Sequence, residues 1–290
     1  MASISVVIPA YNAESTIADA VRSVLQQSVP TLEIIVVDDG STDATASIVS
    51  QEFPQVQVIR TANGGPSQAR NQGMKVARGE WVAFLDADDR WHPDKLQVQL
   101  AVADDTVGVV ASDWIRSERF PKVPDPVPFV DLQYRDLLIM NQFQTSTVIM
   151  RRAVAEQMGG FDAAVDGAED WDFWLRAAQI ARIRKVNWPL VQYRDVPTGY
   201  SKDLWRLYQT MAIMLDKHRG TPAVSAKEFK RLEAWHHLRF WVAFDLAHDS
   251  AHAKLAWQNA WQRGLRRYLP SAAIRYLVPF LFKRVWRRFA

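Results

Sequence analysis

Residues 3–8 form a short β-branched run that stops at Pro9. Residues 14–27 follow, with Ile17, Val21, Val24 and Leu25 at helical spacing. Residues 32–37, apolar but for Glu33, then end at Asp38, the pattern of a strand covered on both faces. Ser41, Thr42 and Asp43 open a further helix, with Ser41 or Thr42 as its expected cap. A third strand is predicted over 56–60, a helix over 67–77 and a fourth strand over 81–85. Strands and helices alternating at short intervals predict an α/β fold with a mostly parallel sheet. Ligands of such sheets bind beyond the C-terminal strand ends. Three of those ends are polar: Pro9-Ala10-Tyr11-Asn12, Asp38-Asp39-Gly40-Ser41 and Asp86-Ala87-Asp88-Asp89. They are expected to converge on one crevice.

Further along, a helix is predicted over 94–103 and a strand over 107–111. Residues 117–128 hold four prolines and read as a loop. Residues 131–150 pass from helix to a strand near 147–150. Glu169 opens a helix that runs to about residue 181. After Tyr193 the pattern becomes helical, over 201–218 and 225–268. Trp235, Leu238, Trp241, Val242, Phe244 and Leu246 make a broad apolar face there. The expected division is residues 1–200 as one α/β domain and 201–290 as a helical extension.

A chain of 290 residues with 48% hydrophobic content can bury a real core. It has no cysteine, which excludes disulfides and thiolate metal sites. No basic and apolar leader is apparent at the N-terminus, and no apolar stretch reaches the ~18 residues of a spanning helix. The net charge of +3 hides an asymmetry. Residues 227–290 carry 13 Lys+Arg against 4 Asp+Glu, so the basic character belongs to the C-terminal segment. Its last residues, 274–290, interleave five Arg or Lys with aromatics and aliphatics, with a kink expected at Pro279. An interfacial helix on an anionic membrane, involving residues 270–290, fits that composition, as does a helix docked on the protein with a solvated basic face. No nucleic-acid partner is expected.

Asp86, Asp88 and Asp89 follow directly on an apolar strand. Carboxylates so close repel one another, and a shared hard cation, Mg2+ or Mn2+, relieves that repulsion. Alternation sends Asp86 and Asp88 to one side, with Asp88 as the better direct ligand, while Asp89 is free to cap the next helix. Asp38 and Asp39 end a buried strand, where a carboxylate can accept from the imide N–H of a uracil or cap a helix. Tyr11 can stack on a base or simply pack. The loop from Asn63 to Gly73 matches neither a P-loop nor a dinucleotide fingerprint. Arg70 there can face a phosphate, and Asn71 and Gly73 can shape the loop. Glu169, Asp170 and Asp172 crowd a helix N-terminus, where the helix dipole favours acids by about 0.3–1 kcal/mol each. Trp171 and Trp174 beside them can wall a sugar-sized pocket or fill the core. One of these acids can act as a general base, expected to be ionised at neutral pH because helix N-termini lower a carboxylate's pKa.

Taken in order, these residues resemble glycosyltransferase family 2, inverting enzymes with a GT-A fold. The resemblance rests on residues 5–12, on Val36-Val37-Asp38-Asp39-Gly40-Ser41, on Ala69-Arg70-Asn71 with the run from Gly79 to Asp89, and on Gly160-Phe161-Asp162 with the run from Glu169 to Arg176. It covers about residues 3–195. It implies a nucleotide-diphosphate sugar as donor, UDP being the expected carrier, with Mn2+ or Mg2+ as cofactor. Pro9, Ala10, Tyr11 and Glu14 would surround the nucleoside and Asp39 would meet the base edge. Arg70, Asn71, Asp86 and Ala87 complete the expected donor site. Asp88 would be the metal ligand and Asp170 the catalytic base. Glu169, Trp171 and Trp174 would face the acceptor. Relatives often continue Tyr-Arg-x-His after the base helix, whereas this chain has Val196 at the His position. The family also implies a glycan or lipid-linked glycan acceptor, cell-surface polysaccharide synthesis, and a cytoplasmic protein peripheral to the inner face of the plasma membrane. A nucleotidyltransferase and a non-catalytic sugar-binding scaffold are the alternatives. The first would need a basic glycine-rich loop near the N-terminus, and the second would need neither the Asp86–Asp88 pair nor a base.

Overall fold

The computed structural model describes residues 2–194 and 203–277. The chain forms two compact units, Met1–Gly199 and Tyr200–Ala290. In the first unit, β1 (Ile4–Ala10), β2 (Glu33–Asp38), β3 (Gln57–Arg60) and β4 (Trp81–Phe84) lie in the order β3-β2-β1-β4, all parallel. Helices α1 (Ile17–Leu25), α2 (Thr45–Glu52) and α3 (Pro66–Val76) connect them. Ile4, Val6, Val7 and Ile8 of the central strand are wholly buried, as befits a strand covered on both faces. β1 continues through Pro9 rather than stopping before it. Its pairing with β4 ends at Val7, so Pro9 has a strand neighbour only in β2 and its missing N–H breaks no ladder on the other side.

The sheet extends through β8 (Ile149–Arg151), β6 (Val107–Ile115), β9 (Arg182–Gln192) and β5 (Arg90–Trp91), and β7 (Phe129–Leu132) pairs with β9. This half is mixed. β8 runs antiparallel to both β4 and β6, whereas β6 and β9 are parallel with irregular register around Asp113. Helices α4 (Lys95–Ala101), α5 (Tyr134–Ile139), α6 (Arg152–Gln157) and α7 (Glu169–Ala177) complete the unit.

β9 has no counterpart in the sequence reading, because its charges mask its apolar positions. Arg184 pairs with Asp131 at 2.8 Å and Lys185 with Asp113 at 2.5 Å, so a charged stretch can lie buried in a sheet. Two helix starts also differ from expectation. α2 begins at Thr45, not at Ser41, because Ser41 and Thr42 are used elsewhere. Ser41 Oγ accepts from the N–H of Asn12, and Asn12 Oδ1 accepts from the N–H of Thr42. Asp43 and Glu14 take over the helix start, accepting from the N–H groups of Thr45 and Ala44 at 2.9 and 3.0 Å. α1 correspondingly begins at Ile17 rather than Glu14.

The second unit contains α8 (Leu204–Lys217), α9 (Ala226–Leu246), α10 (Ser250–Gln262) and a short α11 (Leu269–Ala272). The side chains of Asp203, Ser225 and Asp249 cap the first three, each accepting from an N–H three residues on. The expected helical stretch over 225–268 is divided at 247–249, where His248 takes a left-handed φ of 58° and Asp249 starts the next helix. Ala253, Ala256 and Ala260 make the buried face of α10, whose small side chains let it lie close to α9. Tyr208, Trp235 and Phe244 fill this unit's core. Leu246, expected on the apolar face, is instead 66% exposed. No helix among the described residues is long and apolar enough to cross a membrane. Residues 278–290, most of the basic tail, lie outside the described residues, as does Val196.

Candidate active site

Helix α3 brings the predicted acids together. Gly73 lets it lie directly on the sheet, since a Cβ there would sit 2.3 Å from Val7 Cγ1. At its N-terminal approach, the backbone N–H groups of Gly64 and Gly65 donate to Asp39 at 3.0 and 2.8 Å. Ser67 in its first turn donates to Asp166. One turn further, the buried Arg70 spans two carboxylates, donating to Asp86 Oδ1 at 2.8 Å and Glu169 Oε1 at 3.0 Å. Asn71 grips the backbone of Phe161 with both amide atoms, each at 2.8 Å. Gly160, at φ +88°, packs where a Cβ would lie 2.5 Å from that amide oxygen. Thus the ends of β2 and β4 and the N-terminus of α7 are fastened to one helix.

Several residues expected to touch a ligand are occupied by these ties. The Asp39 carboxylate, only 4% exposed, also accepts from Thr61 Oγ1. Arg70 is committed to two acids rather than open to a phosphate, and the guanidinium is held charged by both of them. Asn71 and Glu14 serve loop geometry. Glu169 accepts from Arg70 and from the N–H of Gly167 at 2.6 Å. Trp174 is completely buried against Phe143, Phe161 and Phe173, so it fills the core and walls no open pocket. Trp171 is buried too, its indole N–H donating to Leu137 O at 2.7 Å. Tyr11, by contrast, is 51% exposed at the end of β1. Pro9 is half-buried beside it and Ala10 is buried.

Asp86 and Asp88 emerge from β4 on the accessible side, with Ala87 and Asp89 buried between and after them. The N–H of Asp86 donates to Ser146 Oγ at 3.0 Å, and Trp91 donates to Ser146 O at 2.9 Å, which fixes this turn. Asp89 does not cap a helix. Its carboxylate accepts from the N–H of Arg194 at 3.1 Å and ties β4 to the end of β9. Burial, and then the charges of Asp86 and Asp88, hold Asp89 well above the usual carboxylate range. Asp88 has no ion pair or side-chain donor among the described residues. Burial first, and Asp86 second, push it up to about 6. Among the described residues no three His, Asp or Glu side chains are grouped to hold a metal by themselves. A site of this kind supplies one or two carboxylates and leaves the remaining positions to water and a phosphate-bearing ligand, the habit of Mg2+-type ions.

Asp170 sits in the first turn of α7, where its Oδ2 accepts from Asn141 Nδ2 at 3.0 Å and Oδ1 from the N–H of Trp171 at 2.6 Å. The expectation of a lowered pKa fails here. Desolvation outweighs the helix terminus and, with the neighbouring Glu169 charge, pushes Asp170 up to about 7. Arg70 offsets this only in part, since its guanidinium is spent on Glu169 and Asp86. A carboxylate poised near neutrality can take a proton and release it, as general-base chemistry requires. Asn141 and Ser146 escaped the sequence reading because nothing local marks them; each matters only through a partner far along the chain.

A parallel sheet with acids gathered at its C-terminal edge, followed by a mixed half that carries a buried carboxylate, is the architecture of the GT-A fold. The chain belongs to glycosyltransferase family 2: the model of that family matches residues 5–159. TuaG of Bacillus subtilis, whose name gives a provisional assignment as a teichuronic acid biosynthesis glycosyltransferase, is 33% identical over 218 residues, which are 70% of this chain and 83% of TuaG. The amylovoran biosynthesis glycosyltransferase AmsB of Erwinia amylovora is 32% identical over 212 residues, 67% of this chain and 70% of AmsB. Among solved structures, Staphylococcus aureus TarS 1-349 in complex with UDP-GlcNAc superposes with a TM-score of 0.70 at 22% identity, covering 89% of this chain and 79% of that one. The mannosyltransferase PcManGT of Pyrobaculum calidifontis, in complex with GDP-Man and Mn2+, gives 0.63 at 23% identity, covering 99% and 88%. The protein is thus a glycosyltransferase with a GT-A fold, which sets aside the nucleotidyltransferase and scaffold readings.

Proposed function

We propose that this enzyme transfers a sugar from a nucleotide-diphosphate sugar, a UDP-sugar by preference, to a hydroxyl of a glycan or lipid-linked glycan during cell-surface polysaccharide synthesis. The observation that carries the reading is Asp170, pushed up to about 7 and sunk beside Glu169, which Arg70 joins to Asp86 in the turn that also bears Asp88. TarS and PcManGT, in the complexes described above, hold nucleoside diphosphate sugars, and the names of TuaG and AmsB place them in polysaccharide pathways.

Tyr11 offers an open aromatic face to the base, with Pro9 and Ala10 beneath it. Asp39, Glu14, Arg70 and Asn71 act by holding the surrounding loops in place. Asp88 is the direct ligand of Mn2+ or Mg2+, and Asp86, already paired with Arg70, meets the ribose or the ion's waters. When bound, the ion supplies Lewis-acid stabilisation of the departing diphosphate. Asp170 takes the proton from the acceptor hydroxyl as that oxygen attacks the anomeric carbon from the face opposite the leaving group. A single displacement inverts the configuration. Asn141 and the N–H of Trp171 hold the base in orientation.

The test is sugar transfer and donor binding measured on Asp170→Asn. Transfer is expected to fall by orders of magnitude while the donor still binds in calorimetry, and full transfer would remove Asp170 from the mechanism. The basic segment 270–290 is proposed to hold the enzyme on an anionic inner-membrane surface, where a lipid-linked acceptor would be met.

A further inference from the structure

The helical unit carries a depression of its own. It lies between α9 and α10, open and shallow, with a volume of about 420 Å3, and is lined by Trp241, Asp245, Ser250, Ala253, Lys254 and Trp257. The Trp241 and Trp257 rings meet at 5.7 Å and 52°, forming an angled wall, and Trp261 continues that wall with its ring 6.3 Å from Trp257. Trp257 and Trp261 are 39% and 45% exposed, although burying such rings is strongly favoured. They lie one helical turn apart on α10, flanking the face that buries Ala253, Ala256 and Ala260. The floor is small and the rim is polar. Asp245 and Lys254 make no ion pair with each other and no side-chain hydrogen bond with any described residue, so an acceptor and a donor stand open at one mouth.

We infer that this depression binds a sugar residue of a glycan, apart from the residues proposed to carry out transfer. Sugar rings present C–H faces that suit indoles and hydroxyls that both donate and accept. The depression supplies each complement: two indole walls, a carboxylate to accept, an ammonium to donate, and the Ser250 hydroxyl to do either. Asp245 and Lys254 together leave the mouth without net charge, which suits a neutral sugar better than a nucleoside diphosphate. Trp261 extends the surface for a neighbouring residue of the same chain. The inference rests on the proposed glycan acceptor, and gives the helical unit the task of holding that polymer.

The experiment uses the full chain, fluorescently labelled, on an array of purified bacterial cell-surface polysaccharides. Wild type and Asp170→Asn are expected to light the same glycans. Trp257→Ala is expected to lose that signal by about tenfold or more, as is usual when a stacking aromatic is removed, with circular dichroism and donor-only nucleoside diphosphate release unchanged. Lys254→Ala serves as a second variant at an exposed position. Retention of array binding by both variants, or absence of any glycan signal from wild type, overturns the inference. So does loss in Asp170→Asn alone, which would place the glycan at the base. Dependence on Trp257 of binding to phosphatidylglycerol vesicles, with none on glycans, would assign the wall to lipid instead. Array binding and transfer by Asp170→Asn are read separately, so either proposal can fail without the other.

Discussion

Asp170 carries the sharpest consequences at the level of single residues. As a base it must be ionised, so transfer is expected to rise as pH increases through about 7. Asp170→Asn should lower kcat by about 10²–10⁴-fold, a range typical of general-base removal. The same residue should mark stability in the opposite sense. Its folded pKa lies above its unfolded one, so the folded state binds more protons between the ordinary carboxylate value of 3.8 and about 7, and stability is lost as pH rises through that window. Thermal melts of Asp170→Asn against wild type should therefore show a Tm difference that grows in the variant's favour from pH 5 to pH 8; a difference independent of pH would contradict the desolvation argument. Arg70 makes the complementary case. Removing it by Arg70→Leu leaves Asp86 and Glu169 without their shared cation, which should cost about 3–5 kcal/mol in urea unfolding. Asp86, Asp88 and Asp170 were all legible in the sequence as acids at element ends. What the sequence hid was occupancy: that Asp39, Glu169 and Arg70 are engaged with one another's loops, and that Trp174 lies in the core.

Elements were legible where their own residues decide them. The four parallel strands are legible as short runs rich in β-branched and apolar residues. β9 did not, because its buried Arg184 and Lys185 are matched by Asp131 and Asp113, partners 53 and 72 positions away in the chain. The starts of α1 and α2 lie later than their sequence suggests for a related reason: Ser41, Thr42 and Asn12 bond across two loops instead of capping locally. α3 offers the clearest test at this scale. Gly73→Ala would drive a methyl into Val7, and overpacking of this kind should destabilise by about 1–3 kcal/mol. Because α3 also fastens both acidic segments, transfer should fall further than the lost stability explains, measured by comparing kcat with the folded fraction under the assay conditions.

For the molecule as a whole, the divided charge and the divided architecture coincide. Residues 227–290, with 13 Lys+Arg against 4 Asp+Glu, fall within the helical unit. Full-length protein is expected to float with anionic liposomes and a truncation before Pro270 to remain behind; equal flotation of the two would assign the basic residues to packing or solubility. Chelation is a further global readout. EDTA should abolish transfer and added Mn2+ or Mg2+ should restore it, while leaving the thermal melt nearly unchanged, because no group of three ligands among the described residues is assembled around an ion.

The crowding of ties on α3 also bears on redesign. Gly64, Gly65, Ser67, Arg70, Asn71 and Gly73 are each committed to a segment far off in the chain. A library aimed at changing which sugar nucleotide is accepted would waste its diversity there, since nearly every variant would loosen the scaffold before altering preference. Tyr11 itself, 51% exposed at the end of β1, is free of such commitments, and it is there that new selectivity is most cheaply sought.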